Sequence, residues 1–359
     1  QMMKVTDKEW KAFYISDEKD NGIFKLRASL SGIDKNKLVD CKEPSIPYIT
    51  RSDFNNGVSM FVGKEQKTKY KIDEGNVITI GLDTQTVFYQ PHSFYTGQNI
   101  QVLYNEQLNK YVAKFIIPLL KMQVSKLSWG GNGATLGRLK RMQLLLPVSD
   151  DGQPDYAFME EFIKEREAIK RKQYLEYCKK QLEIVGGGYD LIPLKDKEWK
   201  SFFIVDIFDN IQRGKRLKTA DHLSGKVPYV SSSALNNGVD NFVSNEKSVR
   251  RFSNCISLAN SGSVGSSFYE PFEFVASDHI THLKNEDFNK YHYLFLATMT
   301  SRLSQKYNFN REINDKRVSR EIILLPVNDE GVPDYDYMEQ YSKNLLCKKL
   351  QSYIDYAAN

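Results

Sequence analysis

The chain has 359 residues, more than one ordinary hydrophobic core holds, and this length predicts two domains. Hydrophobic residues make up 41% and charged residues 26%, and no run approaches the roughly 18 consecutive apolar residues of a membrane span, so we expect a cytoplasmic protein. Lysine and arginine exceed aspartate and glutamate by 50 to 45. This mild excess is compatible with a nucleic-acid partner but does not require one.

Short β-rich runs and one helical stretch alternate along the first part of the chain. IPYI, NVITI and MQLLLPV have strand composition and are separated by turn signals such as NNG and DDG. NKYVAKFIIPLL predicts a helix. After the PDY tripeptide, Asp155 can cap a long helix that continues to about Glu183, and Gly186, Gly187 and Gly188 end it.

The same order of elements is repeated in the second half of the chain. Its strands are VPYV, NCISLA and EIILLPV, and its helix is NKYHYLFLATMTSRL. Three long segments recur in order: DKEWKAFYI as DKEWKSFFI, IPYITRSDFNNGVSMFV as VPYVSSSALNNGVDNFV, and LLLPVSDDGQPDYAFME as ILLPVNDEGVPDYDYME. The chain is therefore a tandem duplication of an α/β (or α+β) domain, each copy followed by a long helix.

The long helices that end the two copies carry narrow apolar stripes. In the second helix the stripe has spacings of three and four and consists of Met338, Tyr341, Leu345, Leu346, Leu350, Tyr353 and Ala357. Narrow stripes at equivalent places of a duplication predict that the two helices pack on each other as an antiparallel coiled coil. The alternative is that each helix covers its own domain.

The stretch SWGGNGATLGRL, from Ser128 to Leu139, has four glycines but is not a phosphate loop. A Walker A loop needs Lys and Ser or Thr directly after its last glycine, where this chain has Arg138 and Leu139, and the dinucleotide fingerprint also fails in its spacing. The second copy has KYNFNREINDK in the same place, with none of the glycines. A loop whose sequence differs between two copies of a repeated scaffold indicates two sites that recognise different ligands.

The loop after each PY strand shows the same contrast, because TRSDF in the first copy aligns with SSSAL in the second. The shared NNG predicts a turn with left-handed asparagines, which we favour over base contact for all four asparagines. Arg, Asn and Ser on variable loops are the side chains that read bases, and neighbouring cations suit phosphates. For Arg51, base contact and a solvated surface charge are equally good interpretations. The candidate DNA contacts are Arg51, Ser52, Lys126, Trp129, Asn132 and Arg138 in the first copy, and Lys215, Arg216, Ser232, Ser233, Asn236, Lys306, Asn308, Asn310, Arg311 and Arg317 in the second.

The chain resembles the specificity subunits of restriction-modification systems, of the type I kind and closest to the BcgI-like branch. The resemblance is carried by the duplication, by GKRLKTADHLSGKVPYVSSSALNNGV in the second copy, by GIDKNKL with IPYITRSDFNNGV in the first, and by LPV with PDYxxME closing each copy. The first copy lacks the GKRL cluster and has FKLRASLSG instead, so Arg27 is our substitute phosphate contact there.

This resemblance implies two target recognition domains, at 1–154 and 190–333, with a helix and glycine linker at 155–189 and a second helix at 334–359. Each domain would enter the major groove over one half of a split duplex target, while methyltransferase or fused methyltransferase-nuclease subunits dock on the helices. The chain itself would be non-catalytic and without cofactor, and S-adenosylmethionine and Mg²⁺ would belong to the partner subunits of a DNA adenine methyltransferase or restriction endonuclease.

Two other classes of function are weighed against this interpretation. A DNA-modifying enzyme would need an Asn/Asp-Pro-Pro-Tyr/Phe motif or a nuclease Pro-Asp with Glu-x-Lys, and neither is present in the required spacing. His279 and His282 have no counterparts in the first copy, so a packed or surface role suits them better than metal binding, and the four dispersed cysteines predict neither zinc nor disulfides. A pure protein-interaction module is disfavoured by the divergent loops.

Overall fold

The computed structural model describes residues 2–127, 133–308 and 310–358. The chain falls into two compact units, Gln1–Gln173 and Tyr174–Asn359. The long helix that follows the first domain crosses this boundary, so its beginning belongs to the first unit and its end to the second. The domain boundaries inferred from the sequence remain predictions.

The first unit is built on a six-stranded sheet of order β6-β5-β8-β2-β1-β9 and a three-stranded sheet of order β4-β3-β7. Its strands are β1 (Trp10–Ser16), β2 (Gly22–Ala28), β3 (Ile46–Ile49), β4 (Val58–Val62), β5 (Val77–Gly81), β6 (Val87–Gln90), β7 (Tyr95–Thr96), β8 (Ile100–Tyr104) and β9 (Gln143–Pro147). Its helices are α1 (Lys110–Val124), α2 (Leu136–Leu139) and the first part of α3 (Tyr156–Val185). β5 is buried along its whole length and lies between β6 and β8 in the larger sheet.

The second unit repeats this order with one added strand, β14, and one added short helix, α4. Its strands are β10 (Trp199–Phe203), β11 (Asn210–Arg213), β12 (Ser224–Val230), β13 (Val239–Val243), β14 (Arg251–Phe252), β15 (Cys255–Ala259), β16 (Ser267–Glu270), β17 (Phe274–Ala276), β18 (Ile280–Lys284) and β19 (Ile322–Pro326), and its helices are α4 (Ile204–Ile207), α5 (Lys290–Ser301), α6 (Asp315–Val318) and α7 (Tyr335–Ala358). The sheets are β11-β18-β15-β16, β13-β12-β17-β14 and β10-β19. Because α4 follows β10 directly, β10 and β19 form a separate pair, whereas β1 continues to Ser16 and pairs with β2 in the first unit.

The predicted strands and helices are confirmed in both copies, and the chain has the mixed α/β fold expected from the duplication. Both long helices begin as predicted. Asp155 accepts a hydrogen bond of 2.9 Å from Phe158 N, and Asp334 accepts one of 3.0 Å from Tyr337 N.

Each long helix starts by covering its own domain. Met159 is fully buried in the core of the first unit, where Phe162 also packs, and Met338 is fully buried in the second. In the second unit, the end of α3 then pairs with α7: the Tyr174 and Tyr353 rings are 4.6 Å apart.

At the other end of this pairing, Gly188 N donates a 3.0 Å hydrogen bond to Asn344 Oδ1. From the Tyr174–Tyr353 contact to the Gly188–Asn344 contact, residue numbers rise in the α3 segment and fall along α7. The two helices are therefore antiparallel. Cys178, Val185 and Leu350 are buried in the seam between the helices. The predicted antiparallel packing of the helices is confirmed. The first turns of both helices also pack on their own domains, as the alternative interpretation proposed. Among the described residues, no helix is both long and apolar enough to cross a membrane.

Candidate nucleic-acid interface

In the first unit, the turn after β5 joins two of the loops that differ between the copies. Leu82 O accepts a hydrogen bond of 2.7 Å from Ala134 N, just after the glycine-rich stretch. The next residue, Asp83, forms an ion pair with Arg51 in the loop after β3. A Cβ atom on Gly133 would lie 2.7 Å from Leu82 O, so this close approach requires glycine. The described end of the glycine-rich loop and the loop after β3 therefore meet at the turn after β5.

The second unit repeats this arrangement with different side chains. The turn after β15 contains Asn260, whose backbone O accepts a 2.9 Å hydrogen bond from Ile313 N. Further along the same turn, Ser263 N donates a 3.1 Å hydrogen bond to Ser232 O in the loop after β12. The loop before α6 and the loop after β12 are thus joined through the turn after β15, as the equivalent loops are joined through the turn after β5 in the first unit. We call this set of three loops the loop cluster of each unit.

Lys215 and Arg216 lie beside the loop cluster of the second unit. Lys215 N donates a hydrogen bond of 3.1 Å to Ala276 O, in the strand that pairs with β12. Gly214 allows this contact, because a Cβ atom there would lie 2.1 Å from Ser277 O. Both cationic side chains are exposed, and among the described residues neither has a hydrogen-bond or ion-pair partner. Such free cations suit phosphate contact.

Asn308, Asn310 and Arg311 form a tight hairpin in the loop cluster of the second unit. Arg311 N donates a 2.8 Å hydrogen bond to Asn308 O, and Asn310 N donates one of 3.0 Å to Asn308 Oδ1. The guanidinium of Arg311 lies over the ring of Tyr307, with 5.2 Å between its central carbon and the ring centroid. All three side chains of the hairpin are exposed.

Arg138 and Arg317 make the same internal contact in the two units. Arg138 Nη1 donates a 2.9 Å hydrogen bond to Gly133 O, and Arg317 Nη1 donates to Glu312 O, in both cases the carbonyl five residues earlier. Each guanidinium therefore holds the variable loop that precedes α2 or α6. Their assignment as DNA contacts stays a prediction.

Several other candidates are also engaged within their own unit. Arg27 pairs with the fully buried Asp73; burial raises the pKa of this carboxyl, and the guanidinium opposes the rise. Lys126 Nζ donates a 2.8 Å hydrogen bond to Gln123 Oε1 and is exposed. Lys306 Nζ lies 2.9 Å from Glu321. Any contact of these cations with phosphate would compete with the internal partner.

The serines and asparagines of the loops after β3 and β12 shape the backbone. Ser52 Oγ accepts a 3.2 Å hydrogen bond from Phe54 N, and Ser233 Oγ accepts one of 3.1 Å from Leu235 N. The asparagines of both NNG turns have positive φ, 50° and 58° for Asn55 and Asn56 and 49° and 53° for Asn236 and Asn237. Turn formation, the interpretation favoured from the sequence, is confirmed.

Trp129 and Asn132 lie outside the described residues. Three residues in or beside the loop clusters were missed from the sequence: Asp83, Tyr307 and, between α6 and β19, Glu321. Asp83 and Glu321 were missed because each is distant in the sequence from the cation it pairs with, 32 residues from Arg51 and 15 residues from Lys306. His282 is buried and stacks on Phe252 with 3.8 Å between ring centroids, which is a packing role.

Two duplicated α/β units, each with a cluster of polar variable loops at one end, define a paired recognition protein. The family described as "Type I restriction modification DNA specificity domain" matches residues 10–177 and 196–354. The chain belongs to this family and is a DNA specificity subunit of a restriction-modification system, the non-catalytic component of such a system.

The chain is 31% identical over 336 residues to the "Type II restriction enzyme BgcI specificity subunit S.BcgI" of Heyndrickxia coagulans, with 93% of each chain covered. Among solved structures it is similar to the S subunit of a type I restriction-modification system from M. genitalium, with 15% identity, a TM-score of 0.47, and coverage of 99% of this chain and 94% of that chain. It is also similar to the HsdS subunit from Thermoanaerobacter tengcongensis, with 13% identity, a TM-score of 0.29, and coverage of 97% and 96%.

Proposed function

We propose that the two loop clusters read two different half-sites of one bipartite duplex DNA target, and that the chain directs methyltransferase subunits to it. One observation carries this proposal: the turn after β5 in the first unit and after β15 in the second contacts the same loops, but the side chains that these loops present differ. In the first unit this position holds the pair Arg51–Asp83, and in the second it holds Ser232. A repeated scaffold with different side chains predicts an asymmetric target.

The direct test is methylome sequencing of a cell that carries the chain together with its methyltransferase partner. We expect an asymmetric motif of two short half-sites with an unread gap. A contiguous or palindromic motif would contradict the proposal. A gel-shift at low and moderate salt provides a second measurement, because affinity that depends on phosphate contacts falls steeply with salt, whereas protein docking on the helices does not depend on them.

For the methyltransferase subunit, we propose a docking groove in the second unit between α5, β19 and α7. The groove has a volume of about 690 Å³. Its apolar lining includes Trp199, Leu294, Phe295, Leu324, Leu345 and Leu346. The cationic side chains at the groove are Lys195, Arg302 and Lys349, all of them exposed. This pattern fits an amphipathic helix with acidic flanks on the partner subunit.

The first unit has a polar contact where this groove has leucines. Lys114 and Glu167 form an ion pair of 3.1 Å there, and the equivalent residues of the second unit are Leu294 and Leu346. The double substitution Leu294→Lys with Leu346→Glu therefore introduces a pair that the fold already accommodates. We expect it to abolish co-purification with the methyltransferase subunit while DNA binding by the chain remains.

The matched control is Lys114→Leu with Glu167→Leu in the first unit, which should leave assembly intact. Unchanged assembly of the Leu294→Lys/Leu346→Glu chain would exclude the groove as the docking site.

We also propose that S-adenosylmethionine and Mg²⁺ act in the partner subunits. Calorimetry with the purified chain tests this, since tight binding of S-adenosylmethionine to the chain alone would contradict it.

A further inference from the structure

We infer that Glu321 is a positioning residue for recognition of the second half-site, acting through Tyr307 on the base-reading side chain of Arg311. The inference rests on the proposed function, because it takes the hairpin closed by Asn308 and Arg311 as a reading element. Glu321 itself lies just before β19 and is 4% exposed, so it is not part of the exposed hairpin surface.

The Glu321 carboxylate holds the two residues that precede the hairpin. Lys306 Nζ lies 2.9 Å from both carboxylate oxygens, and the Tyr307 hydroxyl donates a hydrogen bond to Oε1. A buried carboxylate is costly unless it is paired and hydrogen-bonded, and here both conditions are met. Burial and the neighbouring Glu321 raise the pKa of Tyr307 to about 12, so its hydroxyl stays a donor over the whole physiological range.

Tyr307 transmits this constraint to Arg311. Its ring is 3% exposed and is the surface on which the Arg311 guanidinium rests. The backbone pair between Asn308, the residue after Tyr307, and Arg311 closes the hairpin. A bidentate contact to a base requires the guanidinium to be held within about 0.5 Å of its productive position. The contacts from the buried Glu321 carboxylate through Tyr307 to the exposed Arg311 guanidinium supply such a support.

The first unit has no carboxylate at the position equivalent to Glu321. The residue equivalent to Glu321 is Met142, which packs against the core of the first unit. The backbone is the same in both places: Ile15 N donates a 2.9 Å hydrogen bond to Met142 O, and Ile204 N donates one of 2.9 Å to Glu321 O. The fold therefore accommodates methionine at this position, and the carboxylate is required by the loop above it rather than by the sheet.

The test measures discrimination between duplexes that carry the methylated motif and duplexes with one base pair of either half-site changed, using the complex of the chain with its methyltransferase. We expect Arg311→Ala to reduce discrimination at one second-half-site position roughly 10- to 100-fold. Glu321→Met should reduce it roughly 10-fold at the same position and leave the first half-site unchanged. The double variant should be no worse than Arg311→Ala, because the two residues act in series.

Glu321→Gln is the conservative variant, since its amide oxygen still accepts from Tyr307 and most of the discrimination should return. It also provides the comparison if Glu321→Met folds poorly. An Arg311→Ala protein with unchanged discrimination would overturn the reading hairpin and this inference together. An effective Arg311→Ala beside an inert Glu321→Met, or additive effects in the double variant, would overturn the positioning role alone.

Discussion

Glu270 occupies in the second unit the buried place that Gln90 occupies in the first. Gln90 Nε2 donates hydrogen bonds of 3.1 Å to Thr79 Oγ1 and to Asn56 O, and so fastens the NNG turn to the sheet. Glu270 accepts a 2.8 Å hydrogen bond from Ser257 Oγ at Oε1, while Oε2 has no hydrogen-bond partner among the described residues. The second unit thus carries an uncompensated carboxylate where the first has a satisfied amide.

This difference predicts a pH-dependent gain from Glu270→Gln. Burial raises the pKa of Glu270 from its ordinary 4.5 to about 7. The folded chain therefore holds a proton between these pH values that the unfolded chain has lost, so this group contributes stability below about pH 4.5 that disappears as pH rises through 7.

At pH 8 we expect Glu270→Gln to raise the free energy of unfolding by roughly 1–2 kcal/mol, and at pH 5 by much less. Thermal unfolding at both pH values measures this. Gln90→Glu is the matched control, because it should introduce the same pH dependence into the first unit. An equal effect of Glu270→Gln at pH 5 and pH 8 would rule out titration as the cause.

The NNG turn of the second unit predicts opposite outcomes for two substitutions at Asn236. Its φ of 49° suits glycine and opposes a β-branched residue. Asn236→Gly should leave both stability and target specificity close to wild type, whereas Asn236→Val should cost about 1–3 kcal/mol of unfolding free energy. Denaturant unfolding and methylation-motif sequencing check the two parts. A changed motif in the Asn236→Gly protein would restore base contact as the role of this side chain.

Lys215 and Arg216 should contribute affinity without specificity. Because both are exposed and unpaired among the described residues, Lys215→Ala with Arg216→Ala should weaken binding to all duplexes alike. The slope of log affinity against log salt should fall by about 2, since each phosphate contact contributes roughly 0.9. Lys179→Ala with Lys180→Ala removes two exposed charges from α3 and is the charge-matched control. A change confined to one base-pair position would instead indicate base reading.

The secondary structure could be predicted because each of its signals is local and occurs twice. Asp155 and Asp334 follow proline and precede an apolar stripe, so the duplication confirms the helix start without any tertiary information. The roles of the arginines could not be predicted in this way. Arg27 and Arg51 find their acidic partners 46 and 32 residues further along the chain. Nothing in the local sequence distinguishes such a paired cation from a free one, and only the fold brings the partners together.

The loop clusters were predicted in composition but not in geometry. Variable polar residues identified the loops, whereas the turn after β5 and β15 that joins them was not recognised, because Asp83 and Asn260 look like ordinary turn residues. The difference between the sheets of the two units was also missed. It depends on whether the chain after the DKEW segment continues as a strand to Ser16 or turns into α4, and a few residues decide this.

The final prediction concerns α3 as a spacer between the two half-sites. The helix has 30 residues and is therefore about 45 Å long at 1.5 Å per residue, which is enough to span one turn of B-DNA, about 34–36 Å. Lys170, Arg171 and Lys172 are exposed, so an insertion there disturbs little packing. Four added residues extend the helix by about 6 Å, slightly less than two base-pair steps of 3.4 Å.

We expect the methylation motif of this insertion variant to keep both half-sites and to gain a gap longer by one or two base pairs. The control is substitution of the same three residues by alanine, which leaves the helix length and the gap unchanged. Methylome sequencing distinguishes the outcomes. Each loop cluster is formed by residues of its own unit. Lengthening α3 should therefore leave the contacts within each cluster, and the bases that it reads, unchanged. Altered half-site bases, or an unchanged gap in a folded and active variant, would show that α3 does not set the spacing.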